Sequence, residues 1–459
     1  MMFNFFLAVL AVAPSLVVGG AIKLPQAQAP ATDPFYRPPE GFEATAPGTI
    51  LRQRSITTAF FGFIPDLVQA YQLLYRTTAI NGSAIATVTT VFKPLFPKTD
   101  RFISFHTAYD SSAAVCEPSY TYQLGSPVAS NLISSAEMLI LELYLLQGYI
   151  VAAPDYEGPD AAFGPGHLEG MCALDGMRAV QNFKSTLGLS TSTPSIVGIG
   201  YSGGAIATGW AASLQPSYAP ELSIKGWVHG GTPANLTGTA VSIDRSLFSG
   251  FLPAALDGLN KPSTYSAELS PVINSIITPS GAAVLQYASS NCAIGDLLNF
   301  ANKSFQSTEY QSLGNGLFFD RTIAAVLEQN TLGVSHDQTP TAPVFMYHAS
   351  QDEIIPYANA SALATAWCND GASVAFTTFG NGGHVTTEIV GLPDAVNFVS
   401  AAFAGTTAAG CSRSTELAST LNPLALGVEF EPILVALVGI LAGAGEGDKN
   451  ILPGPGNFR

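Results

Sequence analysis

Apolar and polar positions along the chain alternate between short strand-like runs and longer helix-like stretches. Residues 84–92, rich in Val, Ile and Thr, predict a strand. Shorter apolar runs follow at 102–105, at 149–153 (closed by Pro154-Asp155) and at 195–199. Helical composition at 132–147 and 176–187 separates them. Strands alternating with helices at this spacing predict an α/β protein, with a mostly parallel sheet and helices on both faces. A fifth strand is expected at 224–229, a sixth at 343–347 and a seventh at 374–379, with a last core helix at 392–403.

The segment between the fifth and sixth strands has no convincing strand. A structureless loop of that length does not fit inside a domain. Residues 232–335 are therefore expected to form an inserted helical cap, with apolar pairs such as Leu247-Phe248, Phe251-Leu252 and Ile276-Ile277. The core would then comprise residues 21–231 and 336–425. Within it, the Pro-, Ala- and Gly-rich stretch 25–50 reads as an extended lead-in. Residues 426–459 are left as a flap or tail. The apolar run 432–444 inside it is too short for an ordinary membrane span, so no stable span is expected.

Residues 3–18 are almost unbroken apolar sequence followed by Gly19-Gly20-Ala21. That pattern reads as a secretory signal peptide over residues 1–20. Its first residues lack Lys and Arg, which leaves an uncleaved anchor as the alternative. Four Asn-x-Ser/Thr sequons, at Asn81, Asn235, Asn302 and Asn359, fit an exported glycoprotein. Five widely spaced cysteines, Cys116, Cys172, Cys292, Cys368 and Cys411, suggest two disulfides and a spare thiol in an oxidising compartment. Their spacing is poor for zinc, so no metal site is expected. Of the 459 residues, 47% are hydrophobic and 11% charged, and the net charge is −15. The first two figures exclude a disordered chain. The third, with no basic run, excludes a nucleic-acid partner.

The sharpest local signal is Gly200-Tyr201-Ser202-Gly203-Gly204, directly after the strand at 195–199 and before a helix-like run at 205–214. A G-x-S-x-G in that context is a nucleophile elbow: a tight strand-to-helix turn that lifts the serine above the sheet. Gly198, Gly200 and Gly203 also spell G-x-G-x-x-G, with Glu221 downstream. Yet Glu221 precedes the strand at 224–229 rather than ending one, so it is misplaced for binding a ribose. A serine needs a base, and only His384, of six histidines, follows the last strand on a loop. The other five read as structural, with His106 and His348 at strand ends near the site. The histidine needs a carboxylate, and Asp352 after the sixth strand is chosen, with Glu353 as the near alternative. The order Ser202, Asp352, His384 is that of α/β-hydrolases. The backbone N–H of Gly203 would be one oxyanion donor. A second would come from the loop at Tyr109, Asp110 and Ser111, where Asp110 could equally be a turn residue.

With these residues assembled, the chain resembles the fungal secretory lipase family over about residues 35–425. The motifs are Tyr109-Asp110-Ser111 with Cys116, Gly148-Tyr149, and Pro154-Asp155-Tyr156-Glu157-Gly158-Pro159. They continue with Leu174-Asp175-Gly176, the elbow at Ser202, Tyr347-His348 with Asp352-Glu353-Ile354-Ile355-Pro356, and Gly383-His384. The resemblance implies an α/β-hydrolase core, a helical cap, and a C-terminal flap near an acyl tunnel. It implies cofactor-free hydrolysis of lipid esters, with Ser202, Asp352 and His384 as the triad and Asp110 and Gly203 as oxyanion donors. It also implies the pairs Cys116–Cys292 and Cys368–Cys411, leaving Cys172 free. The tail beyond about residue 425 does not follow the family ending. The leading expectation is a secreted, monomeric triacylglycerol lipase whose partner is a lipid or ester substrate at a lipid–water interface. A short-chain carboxylesterase and a peptidase of the same fold remain alternatives. A non-catalytic binding protein is disfavoured, because all three triad residues are present.

Overall fold

The computed structural model describes residues 26–417 and Asn422. The leader expected over 1–20 and the tail over 426–459, with its apolar run, lie outside the described residues. Twelve strands occur among the described residues. They are β1 (Ile50–Ile56), β2 (Ala59–Phe60), β3 (Ile64–Pro65), β4 (Gln69–Thr78), β5 (Ala84–Lys93), β6 (Arg101–His106), β7 (Ile150–Pro154), β8 (Ser195–Tyr201), β9 (Ile224–Gly230), β10 (Val344–Ala349), β11 (Val374–Phe379) and β12 (Ser412–Glu416). Ten of them form one sheet in the order β1-β4-β5-β7-β6-β8-β9-β10-β11-β12, and β2 and β3 pair separately. From β7 to β12 every pairing is parallel; β1, β4 and β5 join antiparallel at the other edge.

The central strands are buried on both faces, and their period-2 alternation divides the apolar side chains between two cores. Phe102, Ile150, Ile196, Trp227, Val344 and Val374 face one core, which the helices Gly166–Asn182, Gly203–Tyr218 and Tyr357–Asn369 complete. Ile103, Val151, Val197, Val228 and Phe345 face the other, closed by the helices Val128–Leu146 and Leu392–Ala404. The helix expected at 176–187 instead begins at Gly166 and stops at Asn182, with a separate short turn at Lys184–Leu187. The stretch expected as a lead-in contains two short 3-10 turns, and Asp33 beside the first of them forms an ion pair with Arg54 on β1 at 2.6 Å.

Between β9 and β10 the chain is helical: Leu236–Ile243, Phe251–Leu259, Ser266–Ile276, Pro279–Ala288, Ala293–Phe300 and Arg321–Gln329. These helices carry a small core of their own around Leu259, Leu269, Ile273, Ile323 and Leu327. Ile243 and Phe251 pack onto Ile354 and Ile355, which follow β10. The Cys116–Cys292 disulfide also joins this layer to the 3-10 turn Ala114–Cys116 after β6, and Cys368–Cys411 ties the helix after β10 to the residue before β12. Cys172 is a buried free thiol. No helix among the described residues is long and apolar enough to cross a membrane.

Candidate active site

The carboxyl ends of the parallel strands carry the site. Ser202 lies between β8 and the helix Gly203–Tyr218 with φ +53° and ψ −122°, a left-handed backbone rare for a side-chain-bearing residue. Such strain persists only where the surroundings enforce it. Here the Ser202 N–H donates to the Gly230 carbonyl at the end of β9, at 3.0 Å. The turn also needs glycine. A Cβ at Gly203 would collide with Asp110 Oδ1, and one at Gly204 with the His106 carbonyl.

His384 Nε2 stands 2.7 Å from Ser202 Oγ, and its Nδ1 stands 2.7 Å from Asp352 Oδ2. The imidazole is buried, and the Asp352 side chain is shut off from solvent. Asp352 Oδ1 accepts the N–H groups of Ile354 at 3.0 Å and Ile355 at 2.7 Å. Burial alone would raise the carboxyl's pKa. The charge of His384 and the hydrogen bonds from His348 and His384 outweigh it and hold the group well below the usual carboxylate range. For His384, burial works against the charged ring. The Asp352 carboxylate, aided by Glu353 and Glu388, prevails and pushes it up to about 9.

Glu353, the alternative acid, reaches a different atom: its Oε2 accepts the His384 backbone N–H at 2.9 Å. It fixes the start of the helix His384–Val390, while Asp352 meets the ring. The Tyr201 hydroxyl donates to the His384 carbonyl at 2.7 Å, a contact sequence reasoning missed although Tyr201 sits inside the serine motif. Of the remaining histidines, His348 lies beside Asp352, and His106, at the end of β6, has its carbonyl against Gly204 of the serine turn. His106 is engaged by Ser104 and Thr208, His229 by Thr232, His167 by Gln338 and His336 by Asp370.

Asp110 follows β6 with φ +47° and lies against Gly203. Its carboxyl is buried and Oδ1 has no hydrogen-bond partner. Burial raises its pKa, with a smaller push from Glu388 and a pull down from His384, to about 7. Of its neighbours, Ser111 donates its hydroxyl to the Asn291 carbonyl at 3.0 Å, and the Tyr109 hydroxyl accepts the Glu157 N–H at 3.2 Å. A cavity of about 1430 Å³, counting its open mouth, begins at Ser202, Gly203 and Asp110 and runs into the helical layer. Its wall is mostly aliphatic and aromatic, including Phe163, Ile206, Leu256, Ile273, Leu285 and Leu327.

The sequons sit in unlike surroundings. Asn81 and Asn302 are exposed. The Asn235 Oδ1 accepts the Gly238 N–H at 2.9 Å and caps the helix Leu236–Ile243, and Asn359 Nδ2 is buried beside Gly238.

Residues 122–411 match the family described as secretory lipase. The chain is 41% identical over 412 residues to the secreted triacylglycerol lipase LIP1 of Malassezia furfur, covering 89% of this chain and 83% of that protein. It is 38% identical to LIP2 of the same yeast over 437 residues, covering 94% and 92%. Among solved structures, Candida antarctica lipase A in its closed state superposes with a TM-score of 0.81 at 31% identity, over 90% of this chain and 96% of that one. The esterase LipA of Xanthomonas oryzae shares the fold at a TM-score of 0.57 and 17% identity, over 73% and 92%. The sheet order, the serine turn and these matches make the fold an α/β-hydrolase fold, and the chain belongs to the secretory lipase family.

Proposed function

We propose that this protein hydrolyses carboxylic esters of lipids, triacylglycerols foremost, through an acyl-enzyme on Ser202. The observation that carries the reading is a strained serine, hydrogen-bonded to a carboxylate-backed histidine, at the head of an apolar cavity. His384 Nε2 takes the Ser202 proton as Oγ attacks the ester carbonyl, and Asp352 stabilises the imidazolium. The Gly203 N–H and Asp110 receive the oxyanion. The imidazolium then protonates the departing glycerol oxygen, and a water activated by His384 releases the fatty acid. Hydrolysis proceeds without a cofactor.

The helical layer over 232–335 acts in this reading as the cap that holds the acyl chain, while residues 21–231 and 336–425 supply the chemistry. Each buried methylene contributes roughly 0.8 kcal/mol to binding, which favours long chains in a deep apolar cavity. The protein is secreted, as its relatives' names state of them, and works as a monomer at a lipid–water interface. Its glycans are placed first on the open Asn81 and Asn302. The test is turnover of p-nitrophenyl esters from acetate to palmitate, beside an emulsified triglyceride and a proline-containing peptide amide. Long esters and triglyceride should be cleaved and the amide left intact; amide cleavage without ester cleavage would refute the reading.

A further inference from the structure

The Asp352 carboxylate has a second imidazole beside it. His348 lies on β10, is buried, and places Nε2 3.2 Å from Asp352 Oδ2 and 3.0 Å from the Ile355 carbonyl oxygen. Both neighbours can only accept, one being a carbonyl and the other an ionised carboxylate. The Nε2 atom must therefore carry a proton, and the tautomer follows from chemistry. The oxygen it meets is the one that receives His384 Nδ1, since Oδ1 is already taken by the two backbone N–H groups. On its far side, His348 Nδ1 has no hydrogen-bond partner. His229 on β9 is the titratable group nearby, with its Nδ1 turned to Thr232 Oγ1 at 2.8 Å, and the Tyr357 ring lies 6.0 Å away. The polar contacts of the His348 ring thus all go through Nε2, to Asp352 and to the carbonyl of a residue that lines the cavity.

We propose that His348 is a positioning residue for the reaction, holding Asp352 Oδ2 in line with His384 Nδ1 through its Nε2–H. The inference rests on the triad assigned above. A donor on the carboxylate withdraws negative charge from it. Without that donor Asp352 becomes a stronger base, the imidazolium of His384 is stabilised further, and Oδ2 is held by His384 Nδ1 alone. Turnover should fall, and the acid limb of kcat/KM should move to higher pH. Asp110, Glu353, Glu388 and Tyr201, which surround His384, are left intact by the test.

The variants are His348→Phe, which fills the space and cannot donate, His348→Gln, whose amide nitrogen stands where Nε2 does, and His348→Asn, whose amide falls short. The readouts are kcat, KM and the pH profile with p-nitrophenyl butyrate, together with covalent labelling by an alkyl phosphonate and peptide mapping. The Phe and Asn variants should lose about 10–100-fold in kcat with KM nearly unchanged, as expected for a lost hydrogen bond to a charged group. Their acid limbs should shift upward, and Gln should restore most of both. Wild-type kcat and acid limb in all three variants, with the phosphonate on Ser202, would overturn the inference and leave the triad standing. A label anywhere other than Ser202 would remove the triad reading and the inference together. If the Phe variant does not fold, equal kcat and equal acid limbs in Gln and Asn overturn it.

Discussion

At the end of the sheet, each candidate catalytic atom is held by directed contacts: Ser202 by the Gly230 carbonyl, His384 by Asp352, Glu353 and Tyr201, and Asp352 by two backbone N–H groups. In the helical layer that shares the cavity, the wall is largely Leu, Ile, Val and Phe, and contact there is dispersion and exclusion of water. In the proposed reaction the two regions divide the work. Directed contacts set which bond breaks, because charge must be met where it develops. Undirected packing sets which chain is held, because apolar burial scales with area and is indifferent to register. Substitutions on the sheet side should therefore change rate for every ester, and those in the layer should change preference among esters.

The largest effect is expected from Ser202→Ala. It removes the atom proposed to form the acyl-enzyme, and turnover of short and long esters alike should fall on the order of 10⁵-fold. Circular dichroism should show an intact fold. A folded variant that kept its activity would place the chemistry elsewhere.

Next comes the contrast between neighbouring carboxylates. Asp352→Asn presents His384 with an amide in place of a charge, and should cost on the order of 10³–10⁴-fold in kcat. Glu353→Gln keeps an oxygen that can accept the His384 N–H, so its cost should stay below about tenfold. The reverse ranking would exchange their roles.

These sheet-side contacts were unevenly legible in the sequence. The elbow could be read because its whole signal lies within Gly200–Gly204 and two flanking elements. The central parallel strands could be read because burial on both faces demands continuous apolar runs, as in Ile150–Pro154. The edge strands could not. Ser412–Glu416 is exposed at every residue and pairs with β11 through its backbone; Ile50–Ile56 interleaves Arg, Gln and Ser. Backbone pairing leaves no apolar pattern to find. The contact of His348 with Asp352 had a signal, a histidine four residues before the acid at a strand end, but its partner atom depends on the turn through Ile355. The cavity wall draws on residues scattered from Asp110 to Ile355, so no local window shows it.

The pH profile is the third prediction. As the proposed base His384 acts in its neutral form, and its pKa is raised from 6.5 to about 9. The acid limb of kcat/KM should therefore lie above the ordinary histidine value, and lowering the pH through it should reduce activity on all esters equally. The fold responds with the opposite sign. Stability from the imidazolium–Asp352 pair is fully present below pH 6.5 and is lost as the pH rises through about 9. Rate and melting temperature should thus move in opposite directions across that window. Parallel movement would separate His384 from the base.

The smallest effect on the chemistry, and the one that isolates the layer, is expected from Ala255→Phe. Ala255 sits on the helix Phe251–Leu259, lines the cavity, and packs near Gly164. A phenyl ring there fills space and adds no charge or donor near Ser202. Acetate esters, which need little of the cavity, should turn over within about twofold of wild type. A long chain that can no longer pass should lose about 0.8 kcal/mol, or about fourfold, for each methylene left in water. The ratio of palmitate to acetate turnover should therefore fall by tens-fold, while kcat for acetate and the acid limb stay put. If both esters slow together, the ring has disturbed the Ser202 turn rather than the passage. If neither changes, the acyl chain takes a route that avoids this helix.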